Sequence, residues 1–225
     1  MGIRTMKALF QNRADAGLQL ALHLTGYAGR GDVLVMGLPR GGVPVAFEVA
    51  QKIHAPLDVL IVRKLGVPGY EELAMGAIAT GGIRVLNENV VRSLQVPERI
   101  IDATVAVEEA ELKRRERIYR GHKAPREIAG KTLILIDDGI ATGSTMRAAI
   151  QVLRKQQPAR LVVAVPYAPL SVYDELEGQA DESVILNSTE TFWAVGQAYA
   201  DFSQVTDEEV TRLMEIAERR FKKSA

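Results

Sequence analysis

Apolar residues recur along this chain in two alternating rhythms. Short unbroken runs, at residues 33–37, 57–62, 133–136, 160–166 and 183–186, read as strands buried on both faces. Between them, apolar positions three and four apart mark helices. Ala16, Leu18, Leu20, Ala21 and Leu24 form one stripe over 12–25, with Asn12 or Asp15 as its cap and a glycine-bearing stretch, 26–31, to end it. Further helices are predicted up to about residue 53, over 146–153 and over 169–176. Another spans 207–223, where acids open the helix and bases close it, as the helix dipole favours. Residues 73–79 and 83–86, joined around Thr80-Gly81-Gly82, read as a hairpin, and the glycines and proline of 66–72 predict irregular structure there. The alternation of strand and helix predicts a doubly wound, mostly parallel α/β sheet, one domain over 1–225.

An insertion at about 87–129 interrupts the alternation. Pro97 opens a long helix with Ile100, Ile101, Val105 and Leu112 on one stripe. It ends in a dense mixed-charge run, 111–120, stopped by Gly121. Mixed signs read as a solvated face rather than a nucleic-acid patch, and a homodimer contact is a further use of such a face. His122 and Lys123 follow in a loop, and nothing marks either as catalytic.

Composition narrows the class. The chain has 225 residues, 47% apolar and 25% charged, which suits a globular core. Basic and acidic residues number 28 each, so no net charge favours nucleic acid or an anionic membrane. There is no cysteine, which excludes disulfides and thiolate metal sites. No run approaches membrane-spanning length and the N-terminus lacks a secretory apolar region, so a cytoplasmic location is expected.

The chemistry concentrates in Leu133-Ile134-Leu135-Ile136-Asp137-Asp138-Gly139-Ile140-Ala141-Thr142-Gly143-Ser144-Thr145. This is a buried strand, an acidic pair, a small-residue loop and a helix start. Unpaired N–H groups and the positive dipole of a helix N-terminus suit a phosphate, and the hydroxyls of Thr142, Ser144 and Thr145 add donors. The carboxylates would repel that phosphate, so they suit a vicinal diol or a divalent cation. Diol and phosphate together describe a ribose 5-phosphate. A P-loop is excluded, because Pro125 stands where its first glycine would precede Gly130, and Lys131-Thr132 opens a strand rather than a helix. The plain alternative is an ordinary strand–turn–helix whose aspartates cap a helix.

A second strand–loop–helix unit follows residues 33–37: Leu38-Pro39-Arg40-Gly41-Gly42-Val43-Pro44. Its glycines allow close backbone approach, Pro44 suits a first helical turn, and Arg40 offers a cation. Arg63-Lys64 ends the 57–62 run with two more cations. Near the C-terminus, Phe192-Trp193-Ala194-Val195-Gly196-Gln197-Ala198-Tyr199-Ala200-Asp201-Phe202 gathers aromatics, the only tryptophan among them, in a chain only 5% aromatic.

The Asp-Asp-x-x-Ala-Thr-Gly-x-Thr stretch resembles the signature of the type I phosphoribosyltransferases. The resemblance implies that Asp137 and Asp138 hold the ribose hydroxyls of phosphoribosyl pyrophosphate, and that Ala141, Thr142, Gly143, Ser144 and Thr145 hold its 5-phosphate. Arg40, Gly41 and Gly42 resemble the family's pyrophosphate loop, in its xanthine-guanine form. Arg63 and Lys64 are similar to the cations of the adenine and orotate enzymes, which makes Lys64 a candidate catalytic residue beside the acidic pair. Residues 66–72 would be the family's mobile covering loop. The 192–202 segment resembles loosely the hood of the hypoxanthine-guanine enzymes, so Trp193 or Phe192 either stacks on a base or seals the core. The implied cofactor is Mg²⁺, held mainly through substrate oxygens with no direct protein ligand. The implied reaction transfers the phosphoribosyl group to a nucleobase-like acceptor, as in purine salvage, and releases pyrophosphate. Alanine at position 141, as in the adenine enzymes, leaves no carboxylate to deprotonate hypoxanthine or guanine, which favours adenine or another base. Two rivals share the donor site: a non-catalytic sensor of the donor or a nucleotide, and a hydrolase.

Overall fold

The computed structural model describes residues 8–121, 123–176 and 178–224; His122, read as a loop residue, lies outside them. Five parallel strands form the central sheet in the order β2-β1-β6-β7-β8: β1 (Val33–Gly37), β2 (Leu57–Val59), β6 (Thr132–Ile136), β7 (Arg160–Pro169) and β8 (Glu182–Thr189). Alternate residues of each run face opposite layers. Val33, Val35, Ile134, Ile136, Val162 and Ala164 pack on α1 (Arg13–His23), α2 (Gly42–Lys52) and α7 (Asp207–Ser224). Leu34, Met36, Leu133, Leu135, Leu161 and Val163 pack on α5 (Ser144–Lys155) and α6 (Leu170–Leu176). With both faces covered, polar positions would be costly, which explains the unbroken apolar runs.

The chain leaves β1 in one direction, to β2, while β6, β7 and β8 continue in the other. The crevice between the carboxyl ends of β1 and β6 is therefore the switch point of the sheet. Register sets it level: Gly37, the last residue of β1, pairs with Ile136, the last of β6.

The expected strand over 57–62 is in fact two. β2 stops at Val59, and β3 (Val62–Val67) starts a separate antiparallel sheet with β4 (Tyr70–Ala79) and β5 (Ile83–Leu86). The break is tertiary: the Leu60 N–H still completes the parallel ladder on Gly37 O, but Ile61 turns to Thr80, its N–H donating to Thr80 Oγ1 and its carbonyl accepting from the Thr80 N–H. Residues 66–72 are likewise not irregular. Gly69, at φ +83°, closes a hairpin between β3 and β4, and two register shifts on either side of Gly66 absorb the extra residues of β4. The expected hairpin of β4 and β5 is present.

In the 87–129 stretch, α3 (Glu88–Ser93) precedes the long α4 (Glu98–Arg120), capped by Pro97 and ended at Gly121, φ +62°. The charged end of α4 is only partly a solvated face. Arg120 is buried, and its Nε donates to buried Asp58 of β2 at 3.0 Å, while the Arg126 N–H takes the other carboxylate oxygen at 3.1 Å. This pair pins α4 and the following loop to the sheet edge.

α1 lies on α2 through Gly17, where a Cβ would fall 2.7 Å from Val45 O and 2.8 Å from the Glu48 Cβ. Gly17→Ala is expected to lower unfolding stability by about 1–3 kcal/mol through overpacking. Chemical denaturation checks this, and an unchanged midpoint would mean that the helices separate at little cost.

Candidate functional site

Two strand–loop–helix units meet at the switch point. From β1, Leu38 to Gly41 lead into α2, with a cis peptide between Pro39 and Arg40. From β6, Asp137 to Gly143 lead into α5, and Gly143 (φ +71°) is its N-cap. The loops touch. A Cβ on Gly41 would lie 2.0 Å from Asp138 Oδ2, and one on Gly42 would lie 2.7 Å from Ile136 O and 2.8 Å from the Asp137 Cα. Only glycine fits at either position while the loops keep this spacing.

The acidic pair is tightly held. The Asp138 N–H donates to Asp137 Oδ1 at 2.9 Å, and the Tyr199 hydroxyl donates to the Asp138 carbonyl at 2.5 Å. Arg13, from the start of α1, donates from Nε to Asp138 Oδ2 at 2.7 Å and from Nη1 to Ser203 O at 2.7 Å. Its guanidinium lies 3.9 Å from the Phe202 ring centre. Burial, and then the neighbouring Asp138 charge, push the Asp137 carboxyl well above its ordinary value. Burial also raises Asp138, against the pull of Arg13. Burial, followed by the Asp138 charge, holds the Tyr199 phenol far above its usual range, so it stays a donor.

Beside the pair opens a cavity of about 400 Å³ bounded by Arg13, Arg40, Gly41, Asp138 and Phe202. Another, of about 340 Å³, lies at the sheet edge by Asp58 and Arg120 and holds none of the motif residues. Arg40 is partly exposed and 3.8 Å from Asp207 at the head of α7. On the other loop, Ala141, Thr142 and Thr145 are exposed, the Thr142 and Ser144 hydroxyls are 3.1 Å apart, and the Ile140 N–H is fixed to Tyr167 O at 2.9 Å. Donors at a helix start beside two carboxylates suit a ligand carrying both an anion and hydroxyl groups.

Arg63 and Lys64 lie on β3 of the antiparallel sheet, not at the carboxyl end of a parallel strand; Arg63 Nε donates to Glu108 at 2.6 Å. The aromatics divide. Phe192 stacks on Tyr167 with centroids 5.6 Å apart, whereas Trp193 is 83% exposed. Gln197 shapes that turn: its Oε1 accepts from the Trp193 N–H at 3.0 Å and its Nε2 donates to the Tyr167 hydroxyl at 2.5 Å. Sequence reasoning missed Arg13, and it held Tyr199 and Gln197 within the 192–202 stretch without giving either a role. Arg13 carries no local signal, since it reaches the motif only through the packing of α1.

Among the described residues, no group of three or more His, Asp or Glu side chains could hold a metal ion. The two adjacent carboxylates leave room for a cation such as Mg²⁺ only if substrate oxygens and water supply its ligands.

A carboxyl raised by folding destabilises the native state once ionised. Between the ordinary value and the raised one the native state binds more protons, so stability falls as pH rises through that window. Asp137→Asn is therefore expected to be more stable than the parent at pH 7. The gap should narrow as pH falls through the ordinary carboxyl value and close at about pH 3, where Asp137 is neutral in both states. Paired melting curves across pH 3–8 check this; an Asn variant that melts lower at pH 7 would show the charge to be well solvated.

A family model described as the phosphoribosyl transferase domain matches residues 6–203. A protein of Mycobacterium tuberculosis (strain ATCC 25618 / H37Rv), provisionally named a phosphoribosyl transferase, is 47% identical over 213 residues, covering 95% of this chain and 48% of that protein. The chain thus spans about half the length of that relative. The bifunctional protein PyrR of Brevibacillus brevis is 34% identical over 99 residues, 42% of this chain and 55% of that one. The crystal structure of TT1426 from Thermus thermophilus matches at 40% identity with a TM-score of 0.83, covering 91% of this chain and 97% of that one. No described helix is long and apolar enough to cross a membrane. With most of its length inside the matched domain, and with that domain's fold, the chain belongs to the phosphoribosyl transferase domain family.

Proposed function

We propose that the chain transfers a phosphoribosyl group from phosphoribosyl pyrophosphate to a nucleobase-like acceptor and releases pyrophosphate. The observation that carries this reading is the contact of the two switch-point loops, with Gly41 and Gly42 pressed against Asp137 and Asp138. That contact puts one loop's helix start, the acidic pair and the other loop's arginine around one crevice. In this reading the 5-phosphate sits on the loop 141–145, and the ribose hydroxyls donate to the Asp137 and Asp138 carboxylates. Pyrophosphate lies along Arg40-Gly41-Gly42, with Arg63 and Lys64 as further cations and Lys64 nearest in role to a catalytic group. The acceptor approaches beneath Trp193, and the β3–β4 hairpin tip covers the site. Residues 87–129 are an insertion into the one domain.

The protein's part is then positioning and charge stabilisation, with the sugar becoming cation-like as pyrophosphate leaves. Bound Mg²⁺ would neutralise the leaving group. The buried carboxylates are placed to stabilise developing positive charge on the sugar while they orient its hydroxyls. Arg13 holds the Asp138 carboxylate in place and opposes the effect of its burial.

A donor-sensing regulator is the second reading. It is favoured by the stretch shared with the bifunctional protein PyrR and by the same donor-site geometry. Pyrophosphate release with the donor and Mg²⁺, with and without adenine, hypoxanthine, guanine, uracil and orotate, separates the readings. Base-dependent release is expected, best with adenine and poor with hypoxanthine and guanine because Ala141 brings no carboxylate. Donor binding without release would establish the sensor, and base-independent release a hydrolase.

Asp137→Asn combined with Asp138→Asn removes two charge-assisted acceptors, each worth about 1.5–3 kcal/mol. Thermal stabilisation by the donor should disappear in the double variant while the fold persists. Undiminished stabilisation would overturn the donor-site assignment.

A further inference from the structure

The helices differ in how they begin. α1, α3, α4 and α7 each carry acidic residues in the first turn, as the positive helix end favours. α2 and α5, which follow the two switch-point strands, carry none, and neither does the short α6. α5 departs further, because a cation is folded back over its start. Arg147 Nη2 is 3.5 Å from Ser144 Oγ, and Nη1 lies where a Cβ on Gly143 would approach within 2.8 Å. A guanidinium beside unpaired helix N–H groups is opposed by the same dipole that attracts anions.

In this structure Glu175 of α6 offsets that opposition through an ion pair with Arg147 Nη1. The pair is half in solvent, with side chains 34% and 47% exposed. Ion pairs of this kind contribute little and exchange partners cheaply. Three kinds of donor therefore converge on the space above residues 142–145: helix N–H groups, two hydroxyls and a planar guanidinium fork. A tetrahedral dianion accepts from all three, and the fork matches two of its oxygens at once.

We infer that Arg147 is the cation of the phosphate loop, held by Glu175 until a sugar phosphomonoester takes it over. This rests on the donor reading above and adds to it the residue that distinguishes a dianionic phosphate from a neutral sugar hydroxyl. Binding breaks one ion pair and forms another, so Glu175 competes with the ligand. The two side chains then have opposite effects on affinity, which a purely structural bridge between α5 and α6 would not produce.

Calorimetric titration of the full chain with ribose 5-phosphate, and separately with inorganic pyrophosphate, tests this. Arg147→Gln should weaken ribose 5-phosphate by about 10- to 100-fold, the range for losing a hydrogen bond to a charged group, and leave pyrophosphate nearly unchanged. Arg147→Lys, which keeps the charge without the fork, should fall between. Glu175→Gln should bind ribose 5-phosphate more tightly than the parent. Equal affinity of the parent and both Arg147 variants, or equal weakening by the Arg147 and Glu175 changes, would overturn the inference while the donor reading stood. A parent chain that binds neither probe would overturn both.

Discussion

The site depends on one steric constraint: the turns after β1 and β6 must pass within van der Waals contact of each other. Parallel pairing ends both strands level, at Gly37 and Ile136, so their turns leave the sheet side by side. Gly41 and Gly42 then lie where any side chain would collide with Asp138, Asp137 or the end of β6. The starts of α2 and α5 are drawn to the same crevice; the Gly42 and Val43 N–H groups of α2 are already bonded to Leu38 O and Arg40 O, so it is the α5 start that offers open donors. Charge follows from geometry here. Neither helix can tolerate an acid in its first turn if an anion is to be bound, and neither has one.

The same closeness is costly for the acidic pair. Two adjacent carboxylates in a partly desolvated crevice repel each other, and burial adds to the penalty. Arg13 answers one of them, and it is itself fixed by Ser203 O and the Phe202 ring. Its ion pair is with Asp138 and reaches Asp137 only through space, so the electrostatic strain is concentrated on Asp137. Strain of this sort is common where a site is built for a ligand rather than for stability.

Much of this was legible along the chain, and the failures have physical causes. The parallel strands were legible because burial on both faces forces unbroken apolar runs. The break at Leu60–Ile61 was not, because nothing local marks it; Ile61 leaves the parallel ladder to bond Thr80. Asp58 was the one discordant residue in that run, and it is where buried Arg120 attaches α4. Gly66, Pro68 and Gly69 read as loop residues, yet they form a bulge and a tight turn in a continuous hairpin. The loop 137–145 was legible as a unit because strand, turn and helix start are contiguous. Arg13 acts on Asp138 from 125 residues away and could be placed only by the packing of α1.

The segment proposed to meet the acceptor was the least legible, for a related reason. A donor site at a switch point is made of strand ends and helix starts, whose positions follow from register. The region around residues 192–205 is made of turns, and its shape depends on single side chains. Gln197 ties the Trp193 turn to Tyr167, Phe192 is committed to stacking on the same tyrosine, and Tyr199 reaches the Asp138 carbonyl. One aromatic, Trp193, is left presenting its face outward. In the proposed reading, discrimination among acceptors therefore rests on that face and on the polar groups of the turn, since Ala141 supplies none. In that reading, a Gln197 side chain that bonds both the turn backbone and the core tyrosine makes acceptor geometry sensitive to the core behind it, while the loops after β1 and β6 stay fixed by the sheet.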